Sequence, residues 1–205
     1  MQRYSGMSFI ICVFLLAGCS STTSKKIATA KMHNICPTLK KKPEWYRSAR
    51  AASKRWGTSP QVLLAMVHKE SGFRHNARPV NPSPKKGKKS KYLSSAYGFA
   101  QALDGTWNHY KRHTGRHKAR RDNFNDSIHF MAWYNHQSIS QCKIRKNDAY
   151  NLYLAYHEGH GGFNKRTHKK KKGILRYAKE VEAQAKAYQV QLKQCPVTTQ
   201  KNKRH

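Results

Sequence analysis

Carboxylates are scarce in this sequence, so each one is a candidate for chemistry. The chain has 205 residues, with 41 Lys and Arg against only nine Asp and Glu. Seven of the nine fall at predicted exposed or helix-capping positions: Glu44, Asp104, Asp122, Asp126, Asp148, Glu180 and Glu182. The remaining two, Glu70 and Glu158, are the candidates for acid–base work.

Glu70 ends a predicted helix over 60–70. Ser59 suits the N-cap of this helix, Pro60 suits its first position, and Ser71-Gly72 ends it. One apolar stripe leads to the carboxylate at helical spacing: Leu63, Met66, Val67 and then Glu70. A carboxyl group among apolar neighbours favours its neutral form and can protonate a leaving oxygen, as glycoside cleavage requires. Periodicity alone is equally compatible with a frayed helix end that faces water.

The spacing of the histidines does not favour a metal site. His109, His113 and His117 recur every four residues, but Gly115 ends the predicted helix before the third. The segment His157-Glu158-Gly159-His160 lacks the His-Glu-x-x-His spacing of zinc proteases. We therefore expect no metal and no other cofactor.

The hydrophobic pattern predicts a mostly α fold in one globular domain. Period-two alternation is nearly absent, and there is no internal repeat. Helices are expected over about 43–56, 60–70, 104–113, 123–136, 148–156 and 173–193. Residues 78–94, with several prolines and a lysine run over 85–91, predict a long basic loop, either a functional loop or an inserted one.

The N-terminus predicts export with a lipid anchor. Residues 1–18 have a basic start and a short apolar core, which is typical of a secretory signal. The ending Leu16-Ala17-Gly18-Cys19 resembles the bacterial lipobox, so Cys19 is the expected lipidation site and membrane anchor; an ordinary cleaved signal is the alternative. Ser20 after it favours the outer membrane, with the protein facing the periplasm. Residues 19–42 are interpreted as a Ser/Thr/Lys-rich tether, 43–195 as the domain, and 196–205 as a basic tail.

Export would place three further cysteines, Cys36, Cys142 and Cys195, in an oxidising compartment where disulfides persist. Cys36 and Cys195 flank the predicted globular region, and each is followed by Pro. We favour a disulfide between them with Cys142 left free, although three cysteines do not determine a pairing from sequence.

The charge predicts anionic partners. The formal net charge is +32, and removal of residues 1–18 lowers it by only the one base, Arg3, to +31. Such a chain is drawn to polyanions, of which nucleic acid is the usual candidate. Export argues against nucleic acid and favours the cell-wall polymer, anionic lipid head groups or lipopolysaccharide. A general role in solubility remains an alternative.

Three segments, in order, resemble the motifs of lytic transglycosylases of the SLT type, within the goose-type lysozyme-like superfamily. His68-Lys69-Glu70-Ser71-Gly72-Phe73 is similar to their Glu-Ser motif, and Ser94-Ser95-Ala96-Tyr97-Gly98-Phe99-Ala100-Gln101 to their Gly-x-x-Gln motif. Ala155-Tyr156-His157-Glu158-Gly159 is similar to their Ala-Tyr-Asn-x-Gly motif. The resemblance implies a lysozyme-like domain that binds peptidoglycan glycan strands, in lipoprotein form.

The resemblance also implies roles for single residues. Glu70 would be the catalytic acid and base, and Ser71 would orient it. The expected substrate-binding residues are Ser71, Gly98, Gln101, Tyr156, His157 and Glu158. His157 departs from the family's usual Asn, and Ala100 from a larger apolar residue, which leaves the catalytic acid in place and the substrate subsites open.

The reaction expected from this resemblance is cleavage of the β-1,4 bond between N-acetylmuramic acid and N-acetylglucosamine, with a 1,6-anhydro product. Retaining and inverting glycosidases need a second carboxylate at about 5–5.5 Å or 6.5–9.5 Å, whereas substrate assistance removes that need. No second acid lies near Glu70 in sequence, and Glu158 is the one candidate. A lysozyme-type hydrolase and a non-catalytic module that binds peptidoglycan or lipopolysaccharide are the alternatives.

Overall fold

The fold is built from helices that pack around one core. The structure, a computed structural model, describes residues 33–80 and 92–195, and those ranges contain seven α-helices, one 3₁₀ helix and no β-strand. The α-helices are α1 (Ile35–Lys41), α2 (Pro43–Trp56), α3 (Pro60–Ser71), α4 (Asp104–Thr114), α5 (Phe124–Gln141), α6 (Ala149–Asn164) and α7 (Lys172–Gln194), and the 3₁₀ helix is Thr167–Lys170. The mostly α prediction is confirmed.

Helix α3 lies at the centre of the domain. Its six residues from Val62 to Val67 are all buried, so the helix is enclosed well beyond the single stripe that the sequence predicted. Helices α7, α5, α2 and α6 pack around it. A helix that is apolar on all sides needs neighbours on all sides, and this arrangement carries Glu70 from the core to the edge of the domain.

The end of the segment 19–42, which was predicted as a tether, is helical and packed in the structure. Helix α1 occupies the end of that segment, and its Ile35 and Leu39 are fully buried. Gln191 of α7 accepts a hydrogen bond from the Ile35 backbone at 2.9 Å. A disulfide joins Cys36 to Cys195 with their Cα atoms 5.7 Å apart, while Cys142 is a free thiol. Helix α1 was not predicted from the sequence, because seven residues with two buried apolar positions give almost no periodic signal.

Two helices extend beyond their predicted ends. Helix α5, which was predicted to end near His136, continues to Gln141, and the polar residue Ser138 within this extension is buried. Helix α6 continues past Tyr156 to Asn164 with a kink at Gly159, where φ is 72° and ψ is 160°. Gly159 therefore redirects the helix rather than ending it.

The two described ends of the predicted basic loop lie side by side. Val80 and Tyr92 make an antiparallel bridge, and the Leu93 backbone donates to the Pro79 carbonyl at 2.9 Å. The predictions for 1–18, Cys19, the lysine run 85–91 and the tail 196–205 lie outside the described residues. Within the described ranges no helix is both long and apolar enough to cross a membrane.

Candidate active site

Glu70 lies where α3 meets α6, beside two tyrosines. The residue remains partly accessible to solvent. Burial of its carboxyl raises the pKa to about 7, while an interaction with the Tyr153 hydroxyl and the charge of Lys69 act in the opposite direction. The carboxylate in turn contributes to the raised pKa values of Tyr153 and Tyr156, whose first cause is their own burial. A carboxyl group with this pKa exchanges a proton readily near neutral pH.

Lys69 connects this site to α7. Its Nζ lies 2.5 Å from Oε2 of Glu180 and 3.7 Å from the ring centre of Tyr177. Arg176 contacts the same carboxylate, with 3.7 Å from its Nε to Oε1. Glu180 is therefore held by two cations. The sequence placed it only on an exposed helix face, and the structure brings it to the rim of the Glu70 site.

The second motif folds into a tight turn that only glycine permits at one position. Gly98 has a φ of 75°, and a Cβ there would lie 2.0 Å from the carbonyl oxygen of Arg121. That carbonyl also accepts the Phe99 backbone at 3.1 Å. Gln101 folds back on the turn, and its Nε2 donates to Ala77 at 2.9 Å and to Gly98 at 2.8 Å. Both predicted binding residues thus shape the turn.

Arg121 holds the same turn from the other side. Its Nη1 donates to the carbonyls of Ser95 and Ala102, each at 2.8 Å, and its Nη2 pairs with Asp104 at 2.7 Å. This role of Arg121 could not be predicted from the sequence, because one basic residue does not stand out in a chain so rich in Lys and Arg.

The third motif meets the second through a tyrosine hydroxyl. Tyr156 donates a hydrogen bond to the carbonyl oxygen of Ala100, which is buried. The phenol thus reaches both the second motif and the surroundings of Glu70. The three segments that the sequence treated separately converge at one place.

Three other predicted site residues have partners of their own. The Ser71 hydroxyl donates to the Val67 carbonyl within its own helix at 3.1 Å. His157 is half-exposed, and its Nδ1 lies 3.2 Å from Oε1 of Glu158. The Glu158 side chain is only 2% exposed and is also bound by Thr167 and Lys171. Among the described hydrogen bonds, none joins the Ser71 hydroxyl to the Glu70 carboxyl.

The position of Tyr153 beside Glu70 was not predicted from the sequence. Tyr153 is buried on α6, three residues before Tyr156 and therefore on the same helical face. That spacing was a usable signal. Among the aromatic residues of the second motif and α5, Phe99 and Trp133 are 4% and 1% exposed and belong to the core. Tyr97 is only half-buried and stacks under the Arg78 guanidinium at 4.2 Å.

No metal centre is formed by the His, Cys, Asp and Glu residues that the structure describes. A cavity of about 420 Å³ lies between the start of α3, the start of α6 and α7, and Glu70 is not among the residues that line it. Glu70 remains the candidate site, because an open groove for a polymer need not form an enclosed cavity and because groups with shifted pKa values adjoin it.

Comparison with known proteins identifies the family. A family model described as "Transglycosylase SLT domain" matches residues 7–195, which is most of the chain. No curated protein matches the sequence. The helical architecture agrees with the lysozyme-like fold of this family. The chain belongs to the transglycosylase SLT domain family, whose members act on the peptidoglycan of the cell envelope.

Proposed function

We propose that this protein is a peptidoglycan lytic transglycosylase with Glu70 as its single catalytic carboxyl group. The observation that carries the proposal is the position of Glu70, whose desolvated carboxyl has a pKa of about 7 and lies beside Tyr153 and Tyr156 at the meeting point of all three motifs. A group with this pKa is protonated in a large fraction of molecules at neutral pH and can act as an acid and then as a base.

In the first step, Glu70 donates its proton to the oxygen that links N-acetylmuramic acid to N-acetylglucosamine. The bond between that oxygen and C1 of the muramic acid breaks, and the acetamido oxygen of the same sugar stabilises the positive charge at C1. This substrate assistance replaces the second carboxylate of ordinary glycosidases.

In the second step, the Glu70 carboxylate accepts the proton of the sugar's own C6 hydroxyl. The C6 oxygen forms a bond to C1, which gives a 1,6-anhydro end, and Glu70 regains its initial protonation state. No water molecule is consumed. Tyr153 is suited to hold the carboxylate between the two steps because it interacts with the charged form.

A lysozyme-type hydrolase is the closest alternative. Two further acids lie on the same side of the domain, but both are engaged: Glu180 by Lys69 and Arg176, and Glu158 by Thr167 and Lys171. These ion pairs make neither carboxylate a free nucleophile, which favours the single-carboxylate route. A non-catalytic binding module would have no need for a desolvated carboxyl at the motif junction.

We further propose that the protein is tethered through a lipid on Cys19 to the outer membrane and faces the periplasm. The sequence Leu16-Ala17-Gly18-Cys19-Ser20 supports this location. Anionic lipid or lipopolysaccharide would then be close to the strongly basic chain, whereas nucleic acid would not. Labelling with a radioactive fatty acid, compared between the natural chain and Cys19→Ser, tests the anchor.

The decisive experiment is mass analysis of the products from purified peptidoglycan. The full chain carrying Cys19→Ser should release 1,6-anhydromuropeptides, and Glu70→Gln should reduce the rate at least about a thousandfold. Glu44→Gln, which changes an exposed acid at the start of α2, is the matched control and should keep full activity. Reducing ends in place of anhydro ends would establish the hydrolase, and no product from any variant would establish the binding module.

A further inference from the structure

A basic turn over residues 165–172 follows the kinked end of α6 and leads into α7. Six of its eight residues are Lys or Arg: Lys165, Arg166, Lys169, Lys170, Lys171 and Lys172. All six are exposed. In the described part of the chain only Lys171 has an acidic partner, so the side chains of the other five carry uncompensated charge. The basic turn is therefore a concentrated cationic surface on an ordered segment.

The buried carboxylate of Glu158 holds this turn in place. Lys171 Nζ lies 2.8 Å and 3.0 Å from its two oxygens, and the Thr167 hydroxyl donates to the same group. Burial raises the pKa of Glu158, but these hydrogen bonds and that of His157 outweigh it and lower the pKa to about 2. The Glu158 carboxylate, which we call the latch of the basic turn, is thus ionised at any physiological pH.

The surroundings of the latch are shaped for it. A Cβ at Gly162 would lie 3.3 Å from the Cβ of Glu158 and 3.2 Å from the Thr167 hydroxyl, so a larger residue would press on both partners. Phe163 stacks on His168 with ring centres 5.2 Å apart, which fixes the other side of the 3₁₀ helix. Packing, a hydrogen bond and an ion pair all order the same short segment.

The basic turn leads into the part of α7 that contacts Lys69, the sequence neighbour of Glu70. Its anchor, Glu158, comes two residues after Tyr156, which is coupled to Glu70. The turn continues into the first turns of α7, where Tyr177 packs under Lys69 and Arg176 pairs with Glu180. From Gly159 to Lys179 the chain has no acidic residue. A polymer bound at Glu70 would therefore meet a continuous positive surface on this side.

We infer that the basic turn, latched by Glu158, binds the free carboxylates of the peptide stems that project from the glycan strand. This inference rests on the proposed function, because it takes the strand to lie at Glu70. The stem peptides end in carboxylates and branch from the muramic acid at the cleaved bond. Exposed lysines and arginines on an ordered segment match such groups in charge. The enzyme would thus favour strands whose stems are not amidated.

Binding is measured by sedimentation with insoluble peptidoglycan, in the full chain carrying Cys19→Ser and Glu70→Gln so that nothing is cut. The triple change Arg166, Lys169 and Lys170→Gln should weaken binding about tenfold near physiological salt. The matched control removes the same charge from exposed positions of α2 through Arg47, Arg50 and Lys54→Gln. Helix α2 does not contact the 3₁₀ helix of the turn, and this control should change binding less than about twofold.

Chemical amidation of the polymer identifies the ligand. Conversion of stem carboxylates to carboxamides should lower binding of the parent protein about tenfold and erase the difference between the parent and the triple variant. Unchanged binding to the amidated polymer would overturn the inference. So would a triple variant that binds native peptidoglycan normally but loses binding to vesicles of anionic phospholipid, since that result would assign the turn to a membrane surface.

Glu158→Gln separates the latch from simple charge. The change removes a negative charge, so a purely electrostatic surface would bind the polymer more tightly. If the latch orders the turn, binding should instead weaken about threefold, and amide hydrogen exchange over 163–172 should accelerate. Tighter binding with unchanged exchange would eliminate the latch. Persistence of cutting by Glu70→Gln would refute the proposed function separately, since these assays measure binding alone.

Discussion

The hydroxyl of Tyr156 donates a hydrogen bond to the carbonyl oxygen of Ala100, across 56 residues of sequence. The carbonyl is buried, so the phenol is its partner in place of water. This one bond ties α6 to the turn of the second motif and holds both beside Glu70. The site depends on it for shape as much as for chemistry.

Tyr156→Phe should therefore weaken both the fold and the activity. Loss of the hydroxyl leaves the Ala100 carbonyl unsatisfied, which should cost about 1–3 kcal/mol in the free energy of unfolding. Turnover of peptidoglycan should fall about tenfold or more because the turn and α6 lose their register. Urea denaturation and initial rates measure the two effects. Tyr150→Phe, on the same helix, is the control, and equal losses in both variants would contradict a specific role for this bond.

Tyr153→Phe should move the pH dependence of turnover. The Tyr153 hydroxyl lowers the pKa of Glu70, against the larger effect of burial that raises it to about 7. Removal of the hydroxyl should raise that pKa further, so the loss of activity at alkaline pH should occur at a higher pH. The measurement is kcat/KM from pH 5 to pH 9. A shift toward lower pH would show that Tyr153 does not stabilise the charged carboxylate.

Glu70→Gln should stabilise the fold at alkaline pH. The pKa of Glu70 is raised from its ordinary value of 4.5 to about 7, so the folded protein binds a proton that the unfolded chain releases between those values. Stability is consequently lost as pH rises from 4.5 through 7. The amide does not titrate, and at pH 8 the variant should be more stable by about 1–3 kcal/mol, with little difference at pH 4. Thermal unfolding at both pH values, with Glu44→Gln as control, measures this effect.

Gly98→Ala should damage the fold severely. The methyl group would collide with the carbonyl of Arg121, and φ at this position is 75°, so the expected loss is about 3 kcal/mol or more. Gly105→Ala is a matched control, because Gly105 lies in α4 with no atom within 4 Å of the added Cβ. That change should stabilise the protein by about 0.5–1 kcal/mol. Similar unfolding midpoints for the two variants would refute this account of the second motif.

His129 should make the fold sensitive to acid. The Trp56 indole can only donate, so Nε2 of His129, at 3.1 Å, must accept and the ring must be neutral. Burial first, and then the charges of Arg116 and Arg55, lower its pKa from 6.5 to about 4. Its contribution is fully present above pH 6.5 and is lost as pH falls toward 4.

The measurement is the unfolding free energy of the parent and of His129→Gln at pH 7 and pH 4.5. The parent should lose about 1–2 kcal/mol more than the variant over this range, after allowance for solvent screening of a partly exposed ring. The control, His117→Gln, changes an exposed histidine and should follow the parent. Parallel losses in parent and His129→Gln would rule out this histidine as the acid-sensitive group.

The sequence alone determined six of the seven described α-helices and the candidate acid. The cap and stop signals around α3 predicted its bounds to within one residue, because local backbone preferences and apolar spacing act over a few residues. The end of α5 beyond His136 was missed for the opposite reason, since Ser138 is helical through burial that no local signal reports. Helix α1 is stabilised by contacts with α7, more than 150 residues away.

The tertiary structure decided which side chains meet. The sequence could mark Glu70, Gly98 and Tyr156 as three motifs, but only packing brings the Tyr156 phenol onto the Ala100 carbonyl and Tyr153 against the Glu70 carboxyl. The tertiary structure also brings Lys171 and Thr167 to the Glu158 carboxylate. Motifs report residue types, whereas a pKa depends on burial and on neighbours from distant helices, and these exist only once the chain has folded.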